Sequence, residues 1–165
     1  MKPALLVVDI QNAWLDENKD LKKSIEKRLD AINEAIDWFR SHKRPIIVIS
    51  HEDKESGTLQ GTKAFEFAKS VKIMDSDIKV TKRYPNSFNK TGLKGMVRKL
   101  GCNTVVIVGL SASGCVLGTV FGAVDSDLNP YLLKGGVASH SEEHVRFAEE
   151  ICSTITLEML EKRVV

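Results

Sequence analysis

Short runs of consecutive apolar residues recur along the chain and predict its strands. The runs lie at 4–9, 45–50, 78–82, 104–109 and 131–134, with a weaker run at 151–155. Their residues are apolar at successive positions rather than at alternate ones, which is typical of strands that are buried on both faces of a parallel sheet. The runs therefore predict a mainly parallel sheet of about six strands.

Segments with helical spacing separate these runs. They lie at 20–42, 91–100, 115–127, 141–150 and 156–163. In the first segment, apolar residues from Leu21 to Phe39 recur at steps of three and four and form one stripe. Strands that alternate with helices predict an α/β fold, in which a doubly wound sheet lies between two layers of helices.

The stretch at 51–77 has no clear period. We interpret it as a long excursion over one edge of the sheet, helical near Lys63–Lys69, that forms a pocket wall or a contact between subunits. The chain has 165 residues and carries no linker and no repeat, so it is predicted to form a single domain over residues 1–165.

Composition and charge narrow the class of protein. Hydrophobic residues make up 42% of the chain and charged residues 28%, a composition that is ordinary for a globular protein. The net charge is only +2, so no basic face for binding nucleic acid is indicated. The first apolar run is too short to span a membrane and ends at Asp9, where a signal peptide would need small residues. We therefore expect a cytoplasmic protein that binds neither nucleic acid nor membranes.

Cys102, Cys115 and Cys152 form no CxxC pair, so neither a disulfide framework nor a zinc knot is expected.

Four reactive or charged residues stand at the carboxyl ends of the predicted strands. Asp9, His51 and Lys82 close the first three, and Cys115 follows the fourth at a turn that is rich in glycine and serine. Ligands of open α/β sheets bind at this edge, where the strand order reverses. The charge of Lys82 and the helix that begins at Cys115 are expected to lower the pKa of the thiol, and Asp9 to accept its proton. These residues predict covalent acyl transfer with a cysteine nucleophile.

Three segments carry a family resemblance. They read LLVVDIQNAWL (5–15), KRYPNSF (82–88) and GLSASGCVLGT (109–119). Together they resemble the isochorismatase-like cysteine hydrolases, the group that includes nicotinamidases and N-carbamoylsarcosine amidohydrolase. The resemblance implies a catalytic triad of Asp9, Lys82 and Cys115 and a parallel sheet of the Rossmann-like or flavodoxin-like type. It also implies a small-molecule substrate and a homo-oligomer, either a dimer or a tetramer.

The resemblance also implies the geometry around the nucleophile. A cis peptide bond at Leu110–Ser111 would direct the backbone N–H groups of Ser111 and Cys115 at a developing oxyanion. Trp14 and Phe88 would line the substrate pocket, and packing in the core is the alternative for both aromatic rings.

The chain departs from the family pattern in places. Ala112 stands where a threonine is common, and Gly114 stands where many members have a bulky residue, so we expect Gly114 to widen the pocket for a different substrate. After the second strand the chain reads SHEDKE and lacks the Asp-x-His pair with which nicotinamidases hold a metal. We place His51 at the rim of the pocket, the alternative being a plain surface residue. Neither a metal nor another cofactor is predicted.

These features predict a metal-independent cysteine hydrolase that cleaves a small-molecule amide or a related C–N bond through a thioester on Cys115. Two other hypotheses stay open. One is a catalytically silent relative that binds a metabolite or a partner, and the other is a receiver-like signalling domain. Ser111 or Ser113 is an alternative nucleophile, and Cys102 and Cys152 are expected to be packing residues.

Overall fold

A single six-stranded sheet forms the centre of the computed structural model, which describes residues 1–164. The strands are β1 (Pro3–Val8), β2 (Ile46–His51), β3 (Ile78–Lys82), β4 (Thr104–Leu110), β5 (Asn129–Ala138) and β6 (Thr154–Ile155). Their order in the sheet is β3-β2-β1-β4-β5-β6, and every neighbouring pair is parallel. The predicted α/β fold with a doubly wound parallel sheet is confirmed.

Helices cover both faces of this sheet. They are α1 (Asn12–Glu17), α2 (Lys19–Ser41), α3 (Leu93–Lys99), α4 (Leu117–Val124), α5 (Glu142–Ile151) and α6 (Leu157–Arg163). The buried residues of α3, α4 and α5 form one core cluster with one face of the strands, and those of α2 and α6 form a second cluster with the opposite face. The three layers follow from strands that are apolar on both sides, because each face must be covered.

The first predicted helix and its apolar stripe are confirmed, and a short helix that was not predicted comes before it. In α2 the stripe residues from Leu21 to Phe39 are buried except Leu29, which is partly buried. Asn18 separates α2 from the short helix α1, which was not predicted, and its side chain accepts a hydrogen bond from the backbone N–H of Leu21. Asparagine is a favoured N-cap residue because it satisfies a backbone donor that the helix leaves unpaired.

The helix predicted near Lys63–Lys69 is wrong. This segment consists of turns around a single bridge residue and runs beside residues 10–13, where Gln11 and Phe67 form an antiparallel bridge. The backbone N–H of Ala13 donates to the carbonyl of Ala64, and other donors of the two segments pair in the same way. Because these backbone groups are used between the two segments, they cannot form the bonds of a helix.

Two further boundaries differ from the sequence interpretation. A π-helical turn at Ala112–Val116 comes before α4, so the predicted helix at 115–127 begins in irregular backbone. The weak strand at 151–155 keeps only Thr154–Ile155, because α5 extends to Ile151. Both differences lie where a helix meets a strand, and such boundaries are poorly specified by periodicity alone.

The reversal of strand order falls between β1 and β4, and Gly109 allows these strands to pack closely there. Gly109 has a φ of +117°. A methyl group on this residue would overlap the carbonyl oxygen of Val8 and lie 2.8 Å from the backbone nitrogen of Val8. A side chain would therefore push apart the two strands at the place where Asp9 leaves the sheet.

Replacing Gly109 with alanine is expected to lower the free energy of unfolding by about 3 kcal/mol, because the methyl group adds both backbone strain and overpacking. Gly95 is a matched control: it lies inside α3, and nothing lies within 4 Å of a methyl group built on it. Gly95→Ala should raise stability by about 0.5–1 kcal/mol. Urea denaturation of both variants checks the comparison, and equal stability of the two would contradict the packing described for Gly109.

Within residues 1–164, no helix combines the length and the apolar character that crossing a membrane requires.

Candidate active site

The four residues predicted at the strand ends meet around the ammonium group of Lys82. Its Nζ lies 2.9 Å from Oδ2 of Asp9, 2.7 Å from Nδ1 of His51 and 3.2 Å from Sγ of Cys115. A lysine ammonium has three protons and accepts no hydrogen bond. Each proton therefore has one acceptor, and these contacts hold the three side chains around one charge.

The sheet brings these residues together. His51 and Lys82 are register partners at the ends of β2 and β3, and the backbone N–H of Asp9 donates to the carbonyl of Ile49 in β2. Asp9 has a φ of +54°, a left-handed conformation that aspartate tolerates better than most residues. Cys115 reaches the same edge from the π-helical turn after β4, across the point where the strand order reverses.

Two glycines of α4 hold the segment that follows Lys82. A methyl group on Gly118 would lie 3.1 Å from the backbone nitrogen of Asn86, and one on Gly122 would overlap the Asn86 side chain. The hydroxyl groups of Ser87 and Thr119 also bond to each other at 2.7 Å, both buried. The two glycines thus serve tight packing within the chain, and this packing joins the lysine segment to the helix after Cys115.

The Asp9–Lys82 ion pair is almost fully enclosed, with side chains that are 3% and 0% exposed. Burial is the largest influence on Asp9 and raises the pKa of its carboxyl, while the charge of Lys82 acts in the opposite direction. The second carboxylate oxygen, Oδ1, is buried without a hydrogen-bond partner among residues 1–164. Asp9 therefore has both a raised basicity and a free acceptor atom with which to take a proton.

The expected activation of the thiol by Lys82 is wrong for the resting site. Burial first, and the charge of Asp9 second, raise the pKa of Cys115 to about 12 against the lowering effect of Lys82. Cys115 is therefore a protonated thiol at neutral pH. Its attack on a substrate must transfer the proton during the reaction, and Asp9 is the base beside it.

Alkylation of Cys115 by iodoacetamide should consequently rise with pH without levelling off. The thiolate is the reactive form, and with a pKa of about 12 its fraction increases tenfold per pH unit over about pH 7 to 10. Peptide mass spectrometry resolves Cys115 from the other two thiols, and the unfolded protein, whose thiols titrate near about 8.5, is the reference. A plateau for Cys115 below about pH 8 would contradict the raised pKa.

A small cavity opens beside the thiol. Its volume is about 230 Å³. It is lined by Asp9, Trp14, Leu21, His51, Leu110, Ser111 and Cys115. This volume lies below the range of about 300–1,000 Å³ that is usual for drug-sized ligands. The cavity therefore suits a small ligand with an apolar surface.

Gln11 connects several parts of this wall and is fully buried. Its Oε1 accepts from the backbone N–H of His51 at 2.8 Å, and its Nε2 donates to the carbonyls of His51 and Phe65 at 3.0 Å. Trp14 donates to the same Oε1 at 3.4 Å. From the sequence, Gln11 either holds the loop after Asp9 or caps the segment that follows, and its side chain makes no cap hydrogen bond on α1. Leu21 was missed because it belongs to the apolar stripe of α2 like its neighbours.

Two residues that were assigned to the pocket lie elsewhere. Phe88 is partly buried and packs against the core cluster on the side of α3, α4 and α5. Gly114 is exposed, and no atom lies within 4 Å of a methyl group built on it. Neither is among the residues that line the cavity, and for Gly114 the reason is the π-helical turn, which brings Cys115 to the cavity and leaves Gly114 exposed. The peptide bond at Leu110–Ser111, before this turn, is cis.

The site does not fit a metal ion. Asp9, His51 and Cys115 each offer one ligand atom, and these atoms lie within 4.8 Å of one another. However, the Nζ atom of Lys82 bonds to all three residues and occupies the centre of the group. A cation could bind these ligands only in place of the ammonium group, which is buried and paired with Asp9.

Comparisons with known proteins agree with this architecture. A family model described as the isochorismatase domain matches residues 3–160. The chain is 27% identical over 169 residues to the uncharacterized isochorismatase family protein YddQ of Bacillus subtilis (strain 168), covering 99% of this chain and 84% of the relative.

Two solved structures have similar folds. An isochorismatase-like hydrolase from Alkaliphilus metalliredigens superposes with a TM-score of 0.86 at 22% identity and covers 98% of each chain. The pyrazinamidase of Pyrococcus horikoshii in complex with zinc superposes with a TM-score of 0.80 at 22% identity, over 95% of this chain and 100% of that chain. At such identities the two structures establish the fold and no more.

Proposed function

Since the chain belongs to the isochorismatase family, we propose that it is a metal-independent cysteine hydrolase that cleaves a small-molecule amide or a related C–N bond. The observation that supports this most is the Lys82 ammonium group, which bonds at once to the carboxylate of Asp9 and the sulfur of Cys115 beside a cavity. A nucleophile, a base and a charge that orients both are the parts that acyl transfer needs.

In the first step the sulfur of Cys115 attacks the carbonyl carbon of the substrate. The S–C bond forms as the thiol proton passes to Oδ1 of Asp9, and the carbonyl oxygen gains the negative charge. The backbone N–H groups of Ser111 and Cys115, two residues that line the cavity, bind this oxyanion. Lys82 keeps its three contacts and balances the charge that moves from Asp9 to the substrate.

In the second step the C–N bond breaks and leaves a thioester. Asp9 donates its proton to the departing nitrogen, which leaves as ammonia or an amine. A water molecule then attacks the thioester carbon and gives one proton to Asp9. Collapse of that intermediate returns the proton to the sulfur of Cys115 and releases a carboxylic acid, so that the enzyme ends in its starting state.

Two observations favour a small C–N substrate. The cavity of about 230 Å³ has room for little beyond a carbonyl group and a short side chain. The similar structure from Pyrococcus horikoshii is a pyrazinamidase, which by its name acts on an amide.

Hydrolysis of a panel of small amides tests the proposal. The panel contains primary amides, N-carbamoyl compounds and carbamates, and the release of ammonia or amine is measured for the wild type and for Cys115→Ser. Release by the wild type alone supports the proposal. If no compound is hydrolysed, the proposal is rejected, and a protein that binds a metabolite without catalysis becomes the better account. If Cys115→Ser hydrolyses a compound at the rate of the wild type, the thiol is not the nucleophile and the cysteine mechanism is rejected.

The cytoplasmic location and the homo-oligomer remain predictions. Four large apolar side chains lie about half exposed on two adjacent elements of the same face, Phe121 and Val124 on α4 and Phe147 and Ile151 on α5. These side chains support the prediction of an oligomer, because apolar residues that lie together on a surface are typical of contacts between proteins.

A further inference from the structure

The ring of His51 is held on several sides. Its backbone N–H and carbonyl both bond to the side chain of Gln11, and its Nδ1 contacts Nζ of Lys82 at 2.7 Å. The indole ring of Trp14 meets it edge-on, with ring centres 5.9 Å apart and planes at 85°. The imidazole therefore has one orientation at the wall of the cavity that it lines.

These contacts also decide which nitrogen carries the proton. The ammonium group of Lys82 can only donate, so Nδ1 accepts and the proton of the neutral ring is on Nε2. Burial first and Lys82 second lower the pKa of His51, which keeps the ring neutral at pH 7. Among residues 1–164, no group accepts a hydrogen bond from Nε2. A fixed N–H donor without a partner among these residues thus belongs to a side chain that lines the same cavity as Cys115.

The other polar groups of the cavity are already used. Asp9 and Cys115 carry out the reaction, and the hydroxyl of Ser111 bonds to that of Ser139 at 3.0 Å. No arginine lines the cavity, and the charge of Lys82 is paired with Asp9. The site has no cation left for a carboxylate or phosphate on the substrate, since the desolvation of an unpaired anion is strongly unfavourable.

We propose that the Nε2–H of His51 binds the substrate directly, and that the substrate is an uncharged amide with a second hydrogen-bond acceptor close to the scissile carbonyl. Such an acceptor is an ether, hydroxyl or carbonyl oxygen. This inference rests on the proposed function for the identity of the reacting group. The remaining walls, Trp14, Leu21 and Leu110, contact the apolar part of the molecule.

Two variants separate the two nitrogens of His51. In His51→Asn, the amide oxygen can replace Nδ1 as the acceptor for Lys82, while the donor at Nε2 is lost. In His51→Gln, the amide nitrogen reaches the place of Nε2, while the acceptor at Nδ1 is lost. His42→Asn is the matched control, because His42 lies at the end of α2 against Trp38 and outside the cavity.

The probes are two pairs of aldehydes that differ only by an ether oxygen in place of a methylene group. They are methoxyacetaldehyde with butanal, and 3-methoxypropanal with pentanal. Each aldehyde forms a reversible thiohemiacetal, in which the sulfur of Cys115 bonds to the carbonyl carbon and the thiol proton passes to the oxygen. Dissociation constants follow from protection of Cys115 against iodoacetamide, measured by peptide mass spectrometry.

For each pair, the measured quantity is the dissociation constant of the alkyl aldehyde divided by that of the ether aldehyde. For at least one pair, this ratio should be about 10–100-fold larger in the wild type and in His42→Asn than in His51→Asn. Butanal and pentanal should bind within about threefold in all proteins, because they do not use the donor. His51→Gln should keep part of the ether preference. Because the intrinsic reactivity of an aldehyde is the same for every variant, the ratio isolates the contribution of His51.

Equal ratios in the wild type and His51→Asn for both pairs would overturn the inference, and so would the failure of all four aldehydes to protect Cys115. The proposed function fails by a different result, the absence of amide hydrolysis. An ether preference that depends on His51 in a protein that hydrolyses no amide would leave His51 as a ligand-binding residue and reject only the reaction.

Discussion

Replacing Cys115 with serine is expected to lower kcat/KM for amide hydrolysis by about 10⁴–10⁶-fold, the size of loss that follows removal of a nucleophile from a hydrolase. A hydroxyl group is far less acidic than a thiol, and Asp9 is too weak a base to activate it. The wall of the cavity stays intact, so the substrate should still bind. The measurement is steady-state turnover of the amide that the panel identifies.

Cys152→Ser is the matched control for this variant. Cys152 is a partly buried thiol at the end of α5 that packs against the core cluster rather than the cavity. It should keep the activity of the wild type within about threefold, as expected for a residue outside the site. A loss of less than about tenfold for Cys115→Ser would assign the chemistry to another group, with Ser111 the first candidate.

The second large effect is expected for Lys82→Met, which removes one partner of a buried ion pair. The carboxylate of Asp9 is then enclosed without a counter-charge, and breaking such a pair typically reduces stability by about 3–5 kcal/mol. Because Lys82 lowers the pKa of Asp9, its loss raises that pKa further and favours the protonated carboxyl group. The base is then blocked, and turnover should fall by about 10²–10⁴-fold.

The pH dependence of this destabilisation follows from the direction of the shift. In Lys82→Met the pKa of Asp9 is higher in the folded state than in the unfolded state, so the folded state binds more protons between those two values. Stability should therefore decrease as the pH rises through this interval. Urea denaturation at about pH 5 and about pH 8 should show a larger difference from the wild type at the higher pH.

Two further variants separate charge from size. Lys79→Met is the control, because Lys79 is exposed on the same strand and contacts the carbonyl of Met74. It should change neither stability nor turnover appreciably. Asp9→Asn combined with Lys82→Met removes both buried charges and should recover most of the lost stability while remaining inactive. If Lys82→Met had the same stability and turnover as Lys79→Met, the ion pair between Asp9 and Lys82 would be needed neither for folding nor for catalysis.

The sheet and the place of the site could be predicted from sequence for one physical reason. Strands that are buried on both faces must be apolar at consecutive positions, so a charged residue such as Asp9 or Lys82 at the end of a run is conspicuous. Parallel strands bring their carboxyl ends to one edge, which places these residues together without any knowledge of side-chain contacts. The stripe of α2 was recognisable in the sequence because apolar residues at steps of three and four lie on one face of a helix.

Features that depend on a balance of distant contacts could not be predicted. The pKa of Cys115 was expected to fall because Lys82 and a helix terminus were counted, whereas burial and Asp9 outweigh them in the folded chain. The segment near Lys63–Lys69 has a composition that suits a helix, but its backbone pairs with residues 10–13. Phe88 and Gly114 were placed by analogy of position, whereas Phe88 packs against the core and the turn after β4 leaves Gly114 exposed.

The proposed reaction passes through a thioester on Cys115, which mass spectrometry of the intact protein detects as the added mass of the acyl group. The wild type is mixed with the best amide of the panel and quenched in acid within milliseconds, alongside Cys115→Ser. A transient mass increase equal to the acyl group is expected, located on Cys115 by peptide analysis and absent from Cys115→Ser. An acyl adduct on another residue, or turnover by Cys115→Ser at the rate of the wild type, would contradict this mechanism.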